Sequence, residues 1–200
     1  MERRPDRDRL FLIASAQAGY FTLEQARECG FTRSLVHGRP GTFVRVHEGV
    51  YRLARYPSPS YGDVIAAWLA VGAEKAVVSH DTALRLYGLS DIADRQIHLT
   101  VGRGVRRGHG PDPPAVKIHV PKRPFRPGEI LEWEGMRVTA PARTIVDAAD
   151  AGAAPEVILM AIREGLERGL TSRRELTEAA RGRTKVAGLI QRKIKEAEGR

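Results

Sequence analysis

TLEQARECGFTRSLVHGRPGTFVRVHEGVYRL, residues 22–53, carries its stop and start signals close together, and its reading decides how the N-terminal part folds. Thr22-x-x-Gln25 has the spacing of a capping box, in which hydroxyl and side-chain amide each satisfy an orphan backbone group of a first helical turn. Gly30 ends that helix, Phe31 fills the turn, and Thr32 caps a third helix running through about His37. Gly38-Arg39-Pro40-Gly41 stops it. Phe43-Val44-Arg45-Val46 and Val50-Tyr51-Arg52-Leu53 then alternate around His47-Glu48-Gly49, which predicts a β-hairpin. Upstream, residues 8–18 read as a first helix with Leu10, Ile13, Ala14 and Ala18 on one face, stopped by Gly19. Three short helices and a hairpin within residues 1–57 outline a winged helix-turn-helix.

Charge points the same way. The 200 residues carry 33 Lys and Arg against 24 Asp and Glu, a net charge of +9. That balance favours a polyanionic partner, nucleic acid ahead of an acidic membrane surface. Residues 1–57 hold ten basic and six acidic side chains. The third helix supplies Arg33, Ser34, His37 and, just after it, Arg39, all able to donate to base edges or phosphates in a major groove. Arg45, His47 and Arg52 would form the wing. The competing reading is a small protein-binding module whose cations are merely solvated.

The single cysteine, Cys29, excludes an internal disulfide and a cysteine zinc cluster. Leu10–Ala14 and the small residues after it resemble a secretory signal, but Glu2, Asp6 and Asp8 nearly cancel the four early arginines and the apolar run is short. No stretch reaches the ~20 apolar residues of a membrane span. A cytoplasmic protein is expected, with no membrane partner.

Tyr56-Pro57-Ser58-Pro59-Ser60 reads as a semi-rigid linker into a second domain, residues 58–200. Tyr61, Val64, Ile65, Trp68 and Leu69 make a core-facing helical stripe. Ser79 is placed to cap a helix ending at Tyr87-Gly88. Ile97–Val101 and Val116–Val120 alternate as strands, Ile130–Trp133 and Met136–Thr139 form a hairpin about Glu134-Gly135, and the small sheet is expected to have one covered face. Helices return at Pro141–Asp150, Pro155 to about Arg168, Ser172-x-x-Glu175 and Lys185–Ala197, so about 151–200 is a helical tail. The fold class is α/β, with an N-terminal winged helix.

Chemistry is sparse. Ser79-His80-Asp81 holds the residue types of a hydrolase triad, but consecutive residues on a helix diverge by about 100°. His98 and His119 can meet across neighbouring strands, as a surface pair on the face opposite the core. No cofactor or metal is implied. A nuclease-like enzyme is the alternative, and it would need two carboxylates converging near the basic stretch after Val101. That stretch has Arg103, Arg106, Arg107, Lys117, Lys122, Arg123 and Arg126 against Asp112 alone. Glycines beside Arg103 and Arg107, the latter next to Arg106, allow close approach to phosphate. A second basic zone, six cations without an acid, spans Arg181–Lys195.

Several stretches, in order, resemble the AbiEi-type antitoxins of bacterial type IV toxin–antitoxin systems. They are Gly19-Tyr20-Phe21-Thr22, Phe43–Arg52, Val78-Ser79-His80-Asp81-Thr82-Ala83-Leu84, Ile97-His98-Leu99-Thr100-Val101 and Val138-Thr139-Ala140-Pro141-Ala142-Arg143-Thr144-Ile145-Val146-Asp147. The resemblance covers about residues 8–150. It implies a winged helix that binds inverted repeats in operator DNA and represses its own operon. It further implies a second part that counteracts a nucleotidyltransferase toxin without a stable complex. The DNA role then falls on Arg33, Ser34, His37, Arg39, Arg45, His47 and Arg52, and no catalytic residue is carried over.

Overall fold

The computed structural model describes residues 4–38, 41–91, 96–102 and 116–199. Helix α1 (Arg7–Ser15) is capped by Asp6, whose carboxylate accepts from the Arg9 N–H at 2.9 Å. It stops before the expected residue 18, because Ala18 and Gly19 turn into the left-handed region at φ 51° and 90°. The chain released there forms β1 (Tyr20–Thr22), a strand that was not expected. Helix α2 (Leu23–Glu28) starts with the capping box: the Gln25 N–H donates to Thr22 Oγ1 at 3.1 Å and the Thr22 N–H to Gln25 Oε1 at 2.8 Å. Helix α3 (Arg33–His37) is capped by Thr32, which accepts from the Leu35 N–H. Strands β2 (Phe43–His47) and β3 (Val50–Leu53) pair as the expected hairpin, and β1 adds to the free side of β3 in the order β1-β3-β2.

Alternation sends the side chains of this small sheet into two cores. Phe21 stacks on Tyr51, meets Phe43 edge-on, and joins Leu10, Ala14, Ala26 and Val36 from the three helices. Tyr20 and Val50 belong to the other core, against α4 (Gly62–Val71). That helix has the expected stripe, but Ala66 and Ala67 are buried too, so all of it except the exposed Asp63 is at least partly covered.

On its far side α4 meets a mixed five-stranded sheet. Its strands are β4 (Ala76–Val78), β5 (Ile97–Val101), β6 (Val116–His119), β7 (Ile130–Trp133) and β8 (Met136–Thr139), in the order β6-β5-β4-β8-β7. Pairs β4·β8 and β5·β6 are parallel, while β4·β5 and β7·β8 are antiparallel. Trp68 Nε1 donates to the Ala76 carbonyl at 3.0 Å, fixing α4 to the central strand.

The sheet was expected to have one bare face. Instead β5 is buried along its whole length. Ile97, Leu99 and Val101 join the core under α4, whereas His98 and Thr100 meet α5 (His80–Leu86) on the other face. Helices α6 (Pro141–Asp150), α7 (Pro155–Glu167), α8 (Arg173–Ala180) and α9 (Thr184–Ala197) extend that second layer around Leu84, Ile145, Ile158, Ile162, Leu176 and Ile190. Each large apolar side chain buried this way contributes about 1.5–3 kcal/mol.

The turn between β7 and β8 has Glu134 at φ 49° and Gly135 at φ 77°, as a tight hairpin requires. Gly135 lies against the backbone that follows α1: a Cβ there would be 2.0 Å from the Ala16 carbonyl oxygen. Packing therefore crosses the boundary read at residue 57. Among the described residues no helix is long and apolar enough to cross a membrane.

Candidate functional site

Two places gather polar side chains that the folding argument does not require. The first is α3 with the β2–β3 hairpin. Val36 anchors α3 in the core, while Arg33 and Ser34 are exposed on its first turn. Phe31 packs edge-on against Phe43, and His37 Nε2 lies 2.6 Å from the Tyr51 hydroxyl, so helix and hairpin are tied at both ends of α3. His37 is thereby a brace as well as a surface donor. Arg45 is exposed on β2, between the exposed Val44 and Val46. His47 is half-buried, with Nδ1 3.3 Å from the Glu48 carbonyl. Arg52 donates from Nη1 to the Tyr56 carbonyl at 2.7 Å and so holds the segment that leaves the hairpin. Arg39, Arg103, Arg106 and Arg107 lie outside the described residues.

The second place is a cleft where β6 ends beside α6. The parallel register sets Thr100 opposite His119 and His98 opposite Lys117, so both histidines share a sheet face. His80, at the start of α5, stacks on His119 with ring centroids 3.6 Å apart, and His98 and His119 are 5.0 Å apart. The expected surface pair is therefore a cluster of three, and His98 is only 1% exposed, because α5 covers that face. His80 has φ 52°, a left-handed conformation that is uncommon away from glycine and worth attention where it occurs.

That backbone turn also overturns two expectations about Ser79. Its side chain makes no cap hydrogen bond to α5. With Ser79 extended and His80 left-handed, the neighbours do meet: Ser79 Oγ is 2.9 Å from His80 Nδ1 and 2.7 Å from Thr100 Oγ1. Side chains of neighbours diverge by about 100° only where both residues are helical, and neither Ser79 nor His80 has helical backbone angles. No relay results, since Asp81 faces His98 at 3.5 Å and Ser79 is fully buried.

Charge in the cleft comes from α6, from Arg183 at the N-cap of α9 and from Lys122 in the segment after β6. Arg143, 2% exposed, donates from Nε to Asp147 Oδ2 at 2.7 Å and from Nη1 to Glu129 Oε2 at 2.9 Å, with its guanidinium over the Phe125 ring. Arg183 Nη1 lies 2.7 Å from Asp147 Oδ1 and 3.5 Å from Asp150 Oδ2, and Lys122 Nζ binds both Asp150 oxygens at 2.8 and 2.9 Å. Burial penalises charge on His80 and the nearby His119, His98, Arg143 and Arg183 add to it, lowering its pKa to about 2. Burial, with His98 and Lys117, lowers that of His119 to about 4, against the pull of Asp147. Burial disfavours the Glu129 carboxylate, but hydrogen bonds from Arg123 and the Arg126 N–H, with Arg143, outweigh it and bring its pKa to about 2.

Two carboxylates thus converge beside β6, as the nuclease alternative asked, but both are engaged by guanidinium or ammonium groups. Among the described residues no three His, Cys, Asp or Glu side chains are grouped to hold a metal ion. The basic stretches also change character. Lys122, Arg123 and Arg126 pair with Asp150, Glu129 and Glu178, acids distant in sequence or absent from the local count. Arg183, counted in the C-terminal zone, is drawn into the cleft. No protein-family model matches the chain, and neither does any curated protein.

Proposed function

We propose that this protein is a cytoplasmic DNA-binding transcriptional repressor, acting as the antitoxin of a type IV toxin–antitoxin pair. In this reading residues 1–57 are a winged helix-turn-helix. The observation that carries the DNA-binding part is the first turn of α3: Arg33 and Ser34 are exposed to solvent, Ser34 Oγ 3.1 Å from Thr32 Oγ1, while Val36, Phe31 and His37 fix the helix to the hairpin. A recognition helix needs that combination, because base readout requires donors held in a fixed frame. Exposed Arg45 on β2 supplies a wing contact. The antitoxin part rests on the ordered motifs from Gly19 to Asp147, which resemble that family, and its partner is a nucleotidyltransferase toxin.

The test is binding of the full chain to the duplex upstream of its own gene and to random duplex, at several salt concentrations. Specific binding with a steep salt dependence is expected, since phosphate contacts release counterions. Arg33→Ala should cost about 1–3 kcal/mol on the upstream duplex and much less on the random one. Equal losses on both would remove Arg33 from base readout, and absence of binding at low salt would overturn the reading. Toxicity of an adjacent nucleotidyltransferase gene that co-expression fails to relieve would overturn the antitoxin part.

A further inference from the structure

DNA reading by α3 leaves the histidine–arginine cleft without a task. We propose that this cleft binds the phosphoryl group of a small phosphate ligand, held by Arg183, Lys122, His119 and His80.

Size sets the class of ligand. The cleft measures about 130 Å³, room for about four waters at ~30 Å³ each. One tetrahedral oxyanion fits inside, and any larger body attached to it must project outward. Charge sets the sign. Lys122, Arg143 and Arg183 against Asp147 and Asp150 leave the lining one positive charge in excess.

The carboxylates do not turn an anion away, because they are already occupied. Arg143 and Arg183 each take one oxygen of Asp147, and Lys122 takes both of Asp150. They act instead to aim the cations. Arg183, with 10% of its side chain exposed, uses only Nη1 on these acids, so Nε and Nη2 have no hydrogen-bond partner among the described residues.

The imidazoles supply the independent observation. His119 Nε2 is closed off from solvent and has no hydrogen-bond partner among the described residues, so the ring can reach a ligand only through Nδ1. His80 lines the same cleft, its ring set by the left-handed backbone and by Ser79 at Nδ1. Both rings are neutral in the free cleft, where positive neighbours and burial oppose protonation. A bound oxyanion reverses that opposition and accepts a hydrogen bond from each ring.

The test is a titration of inorganic phosphate into the full chain, followed through the histidine ring signals by NMR, with calorimetry for affinity. Saturable shifts of the His80 and His119 rings are expected, with acetate, a planar monoanion, binding at least about tenfold more weakly. H119Q, by losing a ring hydrogen bond, and K122A, by losing a positive charge at the rim, should each weaken phosphate at least about tenfold. The Lys122 side chain is 75% exposed, so K122A keeps the fold and the test stays decisive if H119Q does not. Adenosine monophosphate binding the same rings tighter than phosphate identifies a nucleotide as the source; weaker or equal binding identifies free phosphate. No ring shift at saturating concentration, or an affinity that K122A leaves unchanged (an adventitious ion only), would overturn the proposal. Neither result touches the DNA-binding reading, which rests on α3.

Discussion

Arg143 shows how much of the C-terminal half can depend on one side chain. Methionine in its place keeps volume and contact with Phe125 but leaves Asp147 and Glu129 short of a counter-charge inside the protein. Such a half-broken buried pair costs about 3–5 kcal/mol, so R143M should lower the denaturant midpoint sharply. Adding D147N and E129Q should recover part of the loss, because it removes the stranded charges. The histidines act at the same scale through pH. His80 and His119 have folded values of about 2 and 4, against about 6.5 when unfolded. The unfolded chain therefore binds more protons below about 6.5, and stability rises with pH there. The contribution is full above 6.5 and drains away as pH falls toward 4 and then 2, with Glu129 adding its own loss below its ordinary carboxylate range. Denaturant melts from pH 7 to 4 should show midpoints falling steadily, and H80N with H119N should flatten that slope. The meeting of His98 and His119 across neighbouring strands was legible in the sequence; the addition of His80 and the burial of the cluster were not. Residues 80, 98 and 119 share no helical or strand spacing, and only the parallel β5·β6 register and the turn at His80 bring them together.

Elements were read better where a local chemical signal marks their ends. Thr22 with Gln25, Thr32, Pro141, Pro155 and Glu134-Gly135 each leave a backbone donor or a φ angle that few residue types satisfy, and the structure uses all of them. Strands β1 and β4 were missed because Tyr20-Phe21-Thr22 and Ala76-Val77-Val78 are too short to display a period of two. Their neighbours in the sheets come from distant sequence. Glycine at 135 carries a separate demand. Gly49 and Gly135 both have positive φ, at 71° and 77°, but a Cβ at Gly49 meets nothing within 4 Å while one at Gly135 runs into the Ala16 backbone. G49A should cost about 1–2 kcal/mol for its backbone conformation alone. G135A should cost clearly more, and the difference between the two thermal melts reads the contact between the β7–β8 turn and the end of α1.

At the scale of the whole molecule, the Tyr56–Ser60 segment divides the sequence without dividing the core. Tyr20 and Val50 are 3% and 1% exposed because α4 covers them. Cut at residue 57, the N-terminal unit would bare both, a contiguous apolar face of the kind that drives self-association. A fragment of residues 1–57 should therefore melt lower and aggregate more than one of residues 1–71, which keeps α4; circular dichroism and light scattering on both would decide. Equal behaviour would mean that the three-stranded sheet does not need its cover. The composition of residues 1–57 gave no warning, since Tyr and Val on alternate positions of β1 and β3 look like an ordinary half-solvated ribbon. Strand β3 gains from this a property that neither unit has separately. Its side chains are clasped from above by Phe21 and from below by α4, so its amides can exchange with solvent only when both hydrophobic clusters part together. The strand works as a rivet, and anything that loosens one half of the protein is felt as lost protection in the other.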